Sequence, residues 1–287
     1  MEYKLLALDL DGTVLNSERE IDVETIRAIH KYKERGGKVV ICSGRSPLST
    51  KWVSETIGID DPIIAYNGAV IQKANGQVLS EFTFSRNGIH TILEACKRYN
   101  VYGHLYEGDT LLVPERNHWN ETWIENNIPA LRLSGASEES CKEFRRQCRV
   151  EQIDDLPSYM EKNNPKIQKF AAFRKEEGAF AEFTKYLSRV TNEFVVSSSL
   201  NFSNLEISPA NTTKGTSLKK LIEMLGLDWS EVAAIGDNFN DVDMLRSAGL
   251  GIAMGNAPAK VQSEANMVTA ANDELGVAKS IKMILEG

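Results

Sequence analysis

Two aspartates separated by one leucine follow the first apolar segment of the chain. Residues 4–8 are mostly apolar and lead through Asp9 and Asp11 into a Gly-Thr turn, as expected of a buried strand in a parallel sheet. Residues two apart in an extended chain point the same way, so both carboxylates face one site. Their mutual repulsion is removed by a cation or by a proton on one of them. The pair therefore indicates a metal site or an acid–base site at a strand end.

Three further apolar segments also end in polar residues, in the sequences KVVICSGR, PIIAYNG and EVAAIGDNFND. If these strands are parallel, their carboxyl ends meet at one edge of the sheet, where such sheets bind ligands. Asp237 and Asp241 add hard oxygen ligands of the kind that suit Mg²⁺. Ser43, nearby glycine N–H groups and Asn240 can hold phosphate oxygens, and Lys214 adds a positive charge. The pattern predicts an acidic metal site beside an anion site.

This set of side chains favours phosphoryl transfer to a carboxylate. Asp9, ionised and sharing the metal, is the natural nucleophile for an aspartyl-phosphate route. Asp11 can protonate the leaving oxygen and then deprotonate the attacking water. Mg²⁺ and Lys214 would offset the negative charge of the substrate.

The elements that must position these residues alternate in type. The first 83 residues follow the order strand, helix, strand, helix, strand, and buried-strand and helix patterns return from residue 209 to the end. This order predicts an α/β fold with a doubly wound parallel sheet. Residues 1–83 and 209–287 are therefore predicted to form one discontinuous core.

The intervening segment, residues 84–208, has a different texture. It holds shorter, alternating strand candidates such as VYGHLY, KIQKFAAF, EFVVSSS and NFSNLEIS, together with amphipathic helices such as GAFAEFTKYLSRV. Alternation of apolar and polar residues is typical of antiparallel sheets with one covered face. We predict that these residues form an inserted α+β domain.

Composition restricts the class of function. The chain has 287 residues, 42% of them hydrophobic, and a net charge of −7 with the basic residues dispersed, which argues against a nucleic-acid or anionic-membrane partner. It has no apolar run long enough to span a membrane and no signal-peptide pattern, so a cytoplasmic location is predicted. Its four cysteines lack the spacing of a zinc site and are predicted to be reduced.

The motifs DLDGTVLN, ICSGR, NTTKGTSLKKL and IGDNFNDVDML, in this order and spacing, resemble those of the haloacid dehalogenase (HAD) superfamily. The long insertion between the second and third motifs resembles the cap of its Cof-type sugar-phosphatase branch. The resemblance implies a Rossmann-like core, a large inserted cap that sets substrate specificity, and Mg²⁺-dependent hydrolysis of phosphate monoesters.

The same resemblance assigns roles residue by residue. It makes Asp9 the nucleophile and Asp11 the acid/base, and it places Mg²⁺ on Asp9, the backbone carbonyl of Asp11 and Asp237. Asp241 would lie nearby and act through a water molecule. The implied phosphate contacts are the Leu10 backbone, Ser43, Gly44, Lys214 and Asn240.

The sequence thus predicts a Mg²⁺-dependent phosphatase acting on small phosphorylated metabolites, with sugar phosphates favoured. Two alternatives stay open at this stage: a phosphomutase acting on hexose phosphates and a non-catalytic phosphometabolite sensor. Arg45 could face either substrate or solvent. In the insert, the polar and aromatic cluster of residues 117–120 is a candidate for specificity contacts.

Overall fold

The computed structural model describes residues 2–121, 124–125, 128, 132, 136–174, 178–190, 192–199 and 204–287. Fourteen strands lie within this part of the chain. In chain order they are β1 (Leu5–Leu8), β2 (Lys38–Ile41), β3 (Ile63–Ala65), β4 (Val70–Gln72), β5 (Val78–Glu81), β6 (Val101–Glu107), β7 (Thr110–Val113), β8 (Arg149–Gln152), β9 (Ile167–Arg174), β10 (Phe194–Ser199), β11 (Asn204–Pro209), β12 (Val232–Gly236), β13 (Leu250–Ala253) and β14 (Met267–Val268).

The helices alternate with these strands. The α-helices of the described residues are α1 (Val23–Glu34), α2 (Pro47–Thr56), α3 (Arg86–Arg98), α4 (His118–Glu121), α5 (Glu138–Gln147), α6 (Leu156–Asn163), α7 (Ala179–Val190), α8 (Lys214–Met224), α9 (Val242–Ser247), α10 (Ala259–Gln262) and α11 (Gly276–Glu286). In the same described residues, four short 3-10 turns cover Tyr66–Gly68, Trp229–Glu231, Phe239–Asp241 and Asn272–Glu274.

A five-stranded parallel sheet, in the order β14-β13-β12-β1-β2, forms the centre of the core. Successive side chains of β1 enter different apolar clusters: Leu6 and Leu8 pack on the side of α1, α2 and α11, whereas Leu5 and Ala7 pack on the side of α8 and α9. Burial on both faces explains the continuous apolar run of this strand. The predicted doubly wound α/β core is confirmed.

Strand β3 differs from the prediction that it continues the parallel sheet. It touches β2 through one isolated parallel bridge between Cys42 and Ile64. Its ladder partner is β4, which in turn pairs with β5 in a separate antiparallel sheet. The chain reverses at Asn67 and Gly68, both of which have positive φ. A Cβ on Gly68 would collide with the carbonyl of Thr213, so the turn can hold only glycine there.

A six-stranded, largely antiparallel sheet, in the order β10-β11-β9-β6-β7-β8, occupies the inserted segment. Only β7 and β8 pair in parallel within the described part of this sheet. One face packs under helices α3, α6 and α7, with Ile92, Phe170 and Phe183 fully buried between them. The other face holds Tyr106, Lys169 and the neighbouring side chains of β11, and it lies over the carboxyl edge of the parallel sheet. We call this second face the cap face.

The predicted α/β core with an inserted α+β cap is therefore confirmed, while the division at residues 84 and 209 stays a prediction. The four cysteines are free thiols. In the part of the chain described, no helix combines the length and the apolar character needed to cross a bilayer. The cytoplasmic location stays a prediction.

Candidate active site

A cavity of about 470 Å³ lies between the edge of the parallel sheet and the cap face. Five of the predicted site residues line it: Asp9, Asp11, Gly44, Asp237 and Asn240. Three others do not line the cavity and have almost no exposed surface: Leu10, Ser43 and Lys214. The structure thus brings the strand ends of β1, β2 and β12 to one place, because these strands are parallel.

The Lys214 ammonium lies between two carboxylates. Its Nζ is 2.5 Å from Asp9 Oδ1 and 2.6 Å from Asp241 Oδ1, and the lysine side chain is fully buried. Lys214 is the first residue of α8, which is fixed by a capping box of Thr213 and Thr216. Burial acts to lower the lysine pKa, but the two carboxylates outweigh it and raise the pKa well above its ordinary value, so the side chain is charged.

A third carboxylate, that of Asp237, lies close to the two that contact this lysine. One oxygen each of Asp9, Asp237 and Asp241 lies within 4.8 Å of the others. Burial and repulsion from Asp241 raise the pKa of Asp9 well above its ordinary value and that of Asp237 to about 7. A single ammonium therefore does not balance the cluster.

A divalent cation suits this arrangement. The donors are hard oxygens, the set that Mg²⁺ prefers, and the charge that Lys214 leaves uncompensated is negative. The loop after β1 is shaped to Asp237: Gly12 has φ +85°, and a Cβ there would collide with the Asp237 carboxylate. Asp237 also accepts a hydrogen bond from Thr13 Oγ1 at 3.3 Å. The residues present therefore fit Mg²⁺, as predicted for Asp9 and Asp237.

Asp241 has a closer place in the cluster than the sequence indicated. Its Oδ2 accepts the backbone N–H groups of Asp237 and Asn238 at 3.1 and 3.0 Å, and its side chain is fully buried. These bonds leave Oδ1 to Lys214. Asp241 thus ties the loop after β12 to the lysine that holds Asp9.

The Asp11 carboxylate does not join the acidic cluster. Arg45 holds it in a bidentate ion pair, with Nε to Oδ2 at 2.8 Å and Nη2 to Oδ1 at 2.7 Å. Burial acts to raise the pKa of Asp11, but Arg45 outweighs it and the pKa lies below its ordinary value. The question left open for Arg45 is answered in part: its side chain is mostly buried and lines the cavity.

The predicted phosphate contacts surround the same cavity. Ser43 Oγ accepts the backbone N–H of Arg45 at 3.1 Å, which closes the loop after β2. Asn240 Nδ2 donates to Asn67 Oδ1 at 3.0 Å. The side chain of Leu10 is fully buried, and the predicted phosphate contact of its backbone stays a prediction.

The cap face adds four cavity residues that sequence reasoning missed: Tyr106, Lys169, Asn204 and Glu206. Lys169 Nζ is 2.6 Å from Glu206 Oε1, and both side chains are largely buried. The sequence contained one indication of Lys169, because a lysine in the middle of the apolar strand KIQKFAAF is unusual. Buried lysines are almost always paired with an opposite charge.

The predicted cluster at residues 117–120 does not line the cavity. Trp119 stacks on Tyr102 with ring centroids 4.9 Å apart, and the buried Asn120 donates to the Tyr102 hydroxyl at 2.6 Å. His104 then links the Tyr102 and Tyr106 hydroxyls, and burial lowers its pKa to about 3. The cluster therefore contacts Tyr106 indirectly, through Tyr102 and His104.

Residues 6–281 match the family model of haloacid dehalogenase-like hydrolases. This chain belongs to that family. The HAD hydrolase is 30% identical to phosphatase YwpJ of Bacillus subtilis over 98% of this chain and 100% of that protein. Its fold resembles a haloacid dehalogenase-like hydrolase structure from B. subtilis, with a TM-score of 0.81, 29% identity and coverage of 97% and 99% of the two chains.

A third similarity also extends over nearly the whole chain. A HAD subclass IIB sugar phosphatase, BT4131, superposes with a TM-score of 0.77 over 98% of each chain at 21% identity, which supports a common fold. The predicted superfamily is confirmed, the Cof-type branch fits, and the protein is an enzyme of the HAD hydrolase class.

Proposed function

We propose that this HAD hydrolase is a Mg²⁺-dependent phosphatase of small phosphorylated metabolites, with sugar phosphates favoured, and that it works through an aspartyl-phosphate intermediate. One observation carries the proposal. The Asp9 carboxylate lies in the cavity wall, held by Lys214 and flanked by Asp237 and Asp241, while Asp11 lines the same cavity. A nucleophile, a positive charge and an acid/base thus share one small volume.

In the first half-reaction, a carboxylate oxygen of Asp9 attacks the phosphorus atom of the substrate. The bond from phosphorus to the ester oxygen breaks, and Asp11 gives that oxygen a proton. Arg45 must first release Asp11 so that the Asp11 carboxylate can take up this proton from solvent, because a bidentate ion pair stabilises the carboxylate over the protonated acid. Binding of the phosphate monoester supplies an anion with which Arg45 can pair instead.

In the second half-reaction, a water molecule gives its proton to the Asp11 carboxylate and attacks phosphorus. The bond from Asp9 to phosphorus breaks, inorganic phosphate leaves, and Asp9 is again a carboxylate. The Lys214 ammonium stays beside Asp9 throughout, which offsets the charge of the incoming phosphoryl group.

The remaining roles concern binding. Asp9, Asp237 and the Asp11 carbonyl would hold Mg²⁺, which when bound offsets negative charge on the nucleophile and the phosphoryl oxygens. Ser43, Asn240 and the backbone N–H groups of residues 10 and 44 would donate to the phosphoryl oxygens. These contacts are the same for every phosphate monoester.

Phosphate release from a panel of monoesters, with Mg²⁺ or with a chelator, tests the proposal. The panel includes hexose and pentose phosphates, a phosphorylated heteroaromatic compound and phenyl phosphate. We expect release only with Mg²⁺ and fastest with a sugar phosphate. An isomerised sugar phosphate without free phosphate would instead support the phosphomutase, and binding without turnover would support the sensor.

A further inference from the structure

A chain of hydrogen bonds connects the cap face to the phosphate-binding loops. Lys169 Nζ donates to Glu206 Oε1 at 2.6 Å and to the Gly44 carbonyl at 2.8 Å. Glu206 Oε2 accepts from Asn67 Nδ2 at 2.6 Å, and Asn67 Oδ1 accepts from Asn240 Nδ2 at 3.0 Å. Two residues of the cap thus contact two loops of the core directly, at Gly44 and Asn67, and reach a third, that of Asn240, through Asn67.

Glu206 fixes the direction of the bonds that run through Asn67 to Asn240. A carboxylate can only accept, so Asn67 must turn its amide nitrogen toward Glu206. The amide oxygen of Asn67 then faces Asn240, so Asn240 must donate a hydrogen bond from its own amide nitrogen. Asn240 lines the cavity, and its nitrogen carries a second N–H that can be given to a phosphoryl oxygen.

Lys169 acts on the neighbouring loop. It binds the carbonyl of Gly44, and the N–H of the same peptide, which belongs to Arg45, donates to Ser43 Oγ at 3.1 Å. One peptide of the loop after β2 is therefore held at both ends, by the cap and by Ser43. Only 6% of the Lys169 side chain and 12% of the Glu206 side chain are exposed, which favours a fixed geometry.

We propose that Glu206 and Lys169 are positioning residues for the phosphoryl group: through Asn67 and Gly44 they set the orientation of Asn240 and of the loop after β2. The inference rests on the proposed phosphatase function and goes beyond it, because it assigns two cap residues to the phosphate end of the substrate. Their effect is then independent of the leaving group.

The variant Glu206→Gln tests the direction of the chain. Lys169 can only donate, so the new side chain must turn its oxygen to Lys169 and its N–H groups to Asn67. Asn67 and Asn240 must then both reverse, and Asn240 presents its oxygen where it presented nitrogen. We expect kcat/KM to fall about tenfold, by the same factor for a hexose phosphate and for phenyl phosphate. A loss confined to the hexose phosphate would overturn the proposal.

The double variant Asn67→Asp, Glu206→Gln tests the same logic by rescue. An aspartate at position 67 accepts from both neighbours, so Asn240 must again donate its nitrogen. Aspartate also tolerates the left-handed backbone of this position, where φ is 54°. We expect kcat/KM to recover to within about threefold of the original protein. A double variant no more active than Glu206→Gln alone would contradict the proposed relay.

Glu81→Gln is the matched control. Glu81 also accepts from one lysine and one amide, Lys166 Nζ at 2.8 Å and Gln168 Nε2 at 2.7 Å, but it does not line the cavity. We expect its kcat/KM to stay within about twofold of the original protein. A tenfold loss there would show that any carboxylate between such partners matters, and would overturn the specific role of Glu206.

Binding of inorganic phosphate in the presence of Mg²⁺, measured by calorimetry, separates this inference from the proposed function. If the protein releases no phosphate from any monoester, the phosphatase proposal fails, yet the relay still predicts about tenfold weaker phosphate binding for Glu206→Gln and recovery in the double variant. Unchanged phosphate affinity in Glu206→Gln would overturn the inference whatever the activity.

Discussion

The edge of the parallel sheet and the cap face meet at one cavity, yet they place polar groups in different ways. At the sheet edge, Asp9, Asp241 and Lys214 form one buried cluster joined by hydrogen bonds, and the partly buried Asp237 lies beside it. On the cap face, the polar pair of Lys169 and Glu206 stands on strand interiors beside Tyr106. Charged side chains are thus concentrated at the ends of the parallel strands, whereas on the cap sheet they are spread along the strand interiors.

The difference has a physical cause. Parallel strands end at a common edge, so the loops that follow them can pool several charges at one point, with helix starts to hold them. A sheet face offers only every second residue of each strand, so its polar groups come from separate strands and stand among apolar neighbours. We propose that the edge carries the chemistry common to all substrates, whereas the cap face, apart from its phosphate-positioning pair, meets the leaving group.

Replacement of the nucleophile should have the largest effect. We expect Asp9→Asn to lower turnover by about 10⁴-fold or more on every substrate, because an amide cannot form the acyl phosphate. Phosphate release measures the loss, and circular dichroism checks that the fold is kept. Substantial Mg²⁺-dependent turnover in this variant would refute the nucleophile assignment.

Removal of the buried lysine should affect both activity and stability. Lys214→Met leaves Asp9 and Asp241 facing each other without their shared cation, and a broken buried ion pair costs about 3–5 kcal/mol. Urea unfolding measures the free energy. Lys219→Met on the same helix is the control, because Lys219 is exposed and should change stability by less than about 0.5 kcal/mol. Equal effects of the two variants would contradict the central role of the cluster.

Metal binding should stabilise the edge and leave the cap unaffected. Mg²⁺ at about 100 times its dissociation constant should add about 2.7 kcal/mol to the free energy of unfolding. Asp237→Asn, which removes one carboxylate from the cluster, should reduce this gain. Thermal unfolding with Mg²⁺ and with a chelator measures both. A gain of the same size in Asp237→Asn would remove this residue from the metal site.

Replacement of a side chain on the cap face should have the smallest effect, and its size should depend on the substrate. Tyr106→Ala opens the cavity wall opposite the sheet edge, and we expect KM to rise about threefold to tenfold for a sugar phosphate and to change little for phenyl phosphate. Tyr106→Phe keeps the ring and should lie closer to the original protein. A uniform fall of kcat on both substrates would place Tyr106 with the common chemistry instead.

Most of the core could be predicted from the sequence because each element there has a strong local sequence pattern. Continuous apolar runs predicted β1, β2, β12 and β13, and the glycines and helix caps predicted their connections. The misplaced element was β3, whose apolar run suits either kind of sheet. Its antiparallel pairing depends on the left-handed turn at Asn67 and Gly68, and that turn is stabilised by close packing against Thr213.

The residues of the candidate site likewise include some that the sequence predicted and some that it did not. Asp9, Asp11, Asp237 and Asn240 stood out by sequence because strand ends gather polar residues at fixed spacings, and Lys214 stood out by its place in the motif at a helix start. The pairing of Asp11 with Arg45 did not, since the two residues lie 34 positions apart in the chain and either could have faced solvent. Nor did the roles of Lys169 and Glu206, which come from different strands of another sheet.

The sequence by itself determined the kind of chemistry at the sheet edge, because residue type and strand-end position are local properties. Only the tertiary structure decided which charges neutralise one another and how the cap reaches the core. The relay from Glu206 through Asn67 to Asn240 joins residues 139 and 173 positions apart. Its direction depends on the acceptor character of a carboxylate, and this acts only when folding brings the three side chains into hydrogen-bond distance.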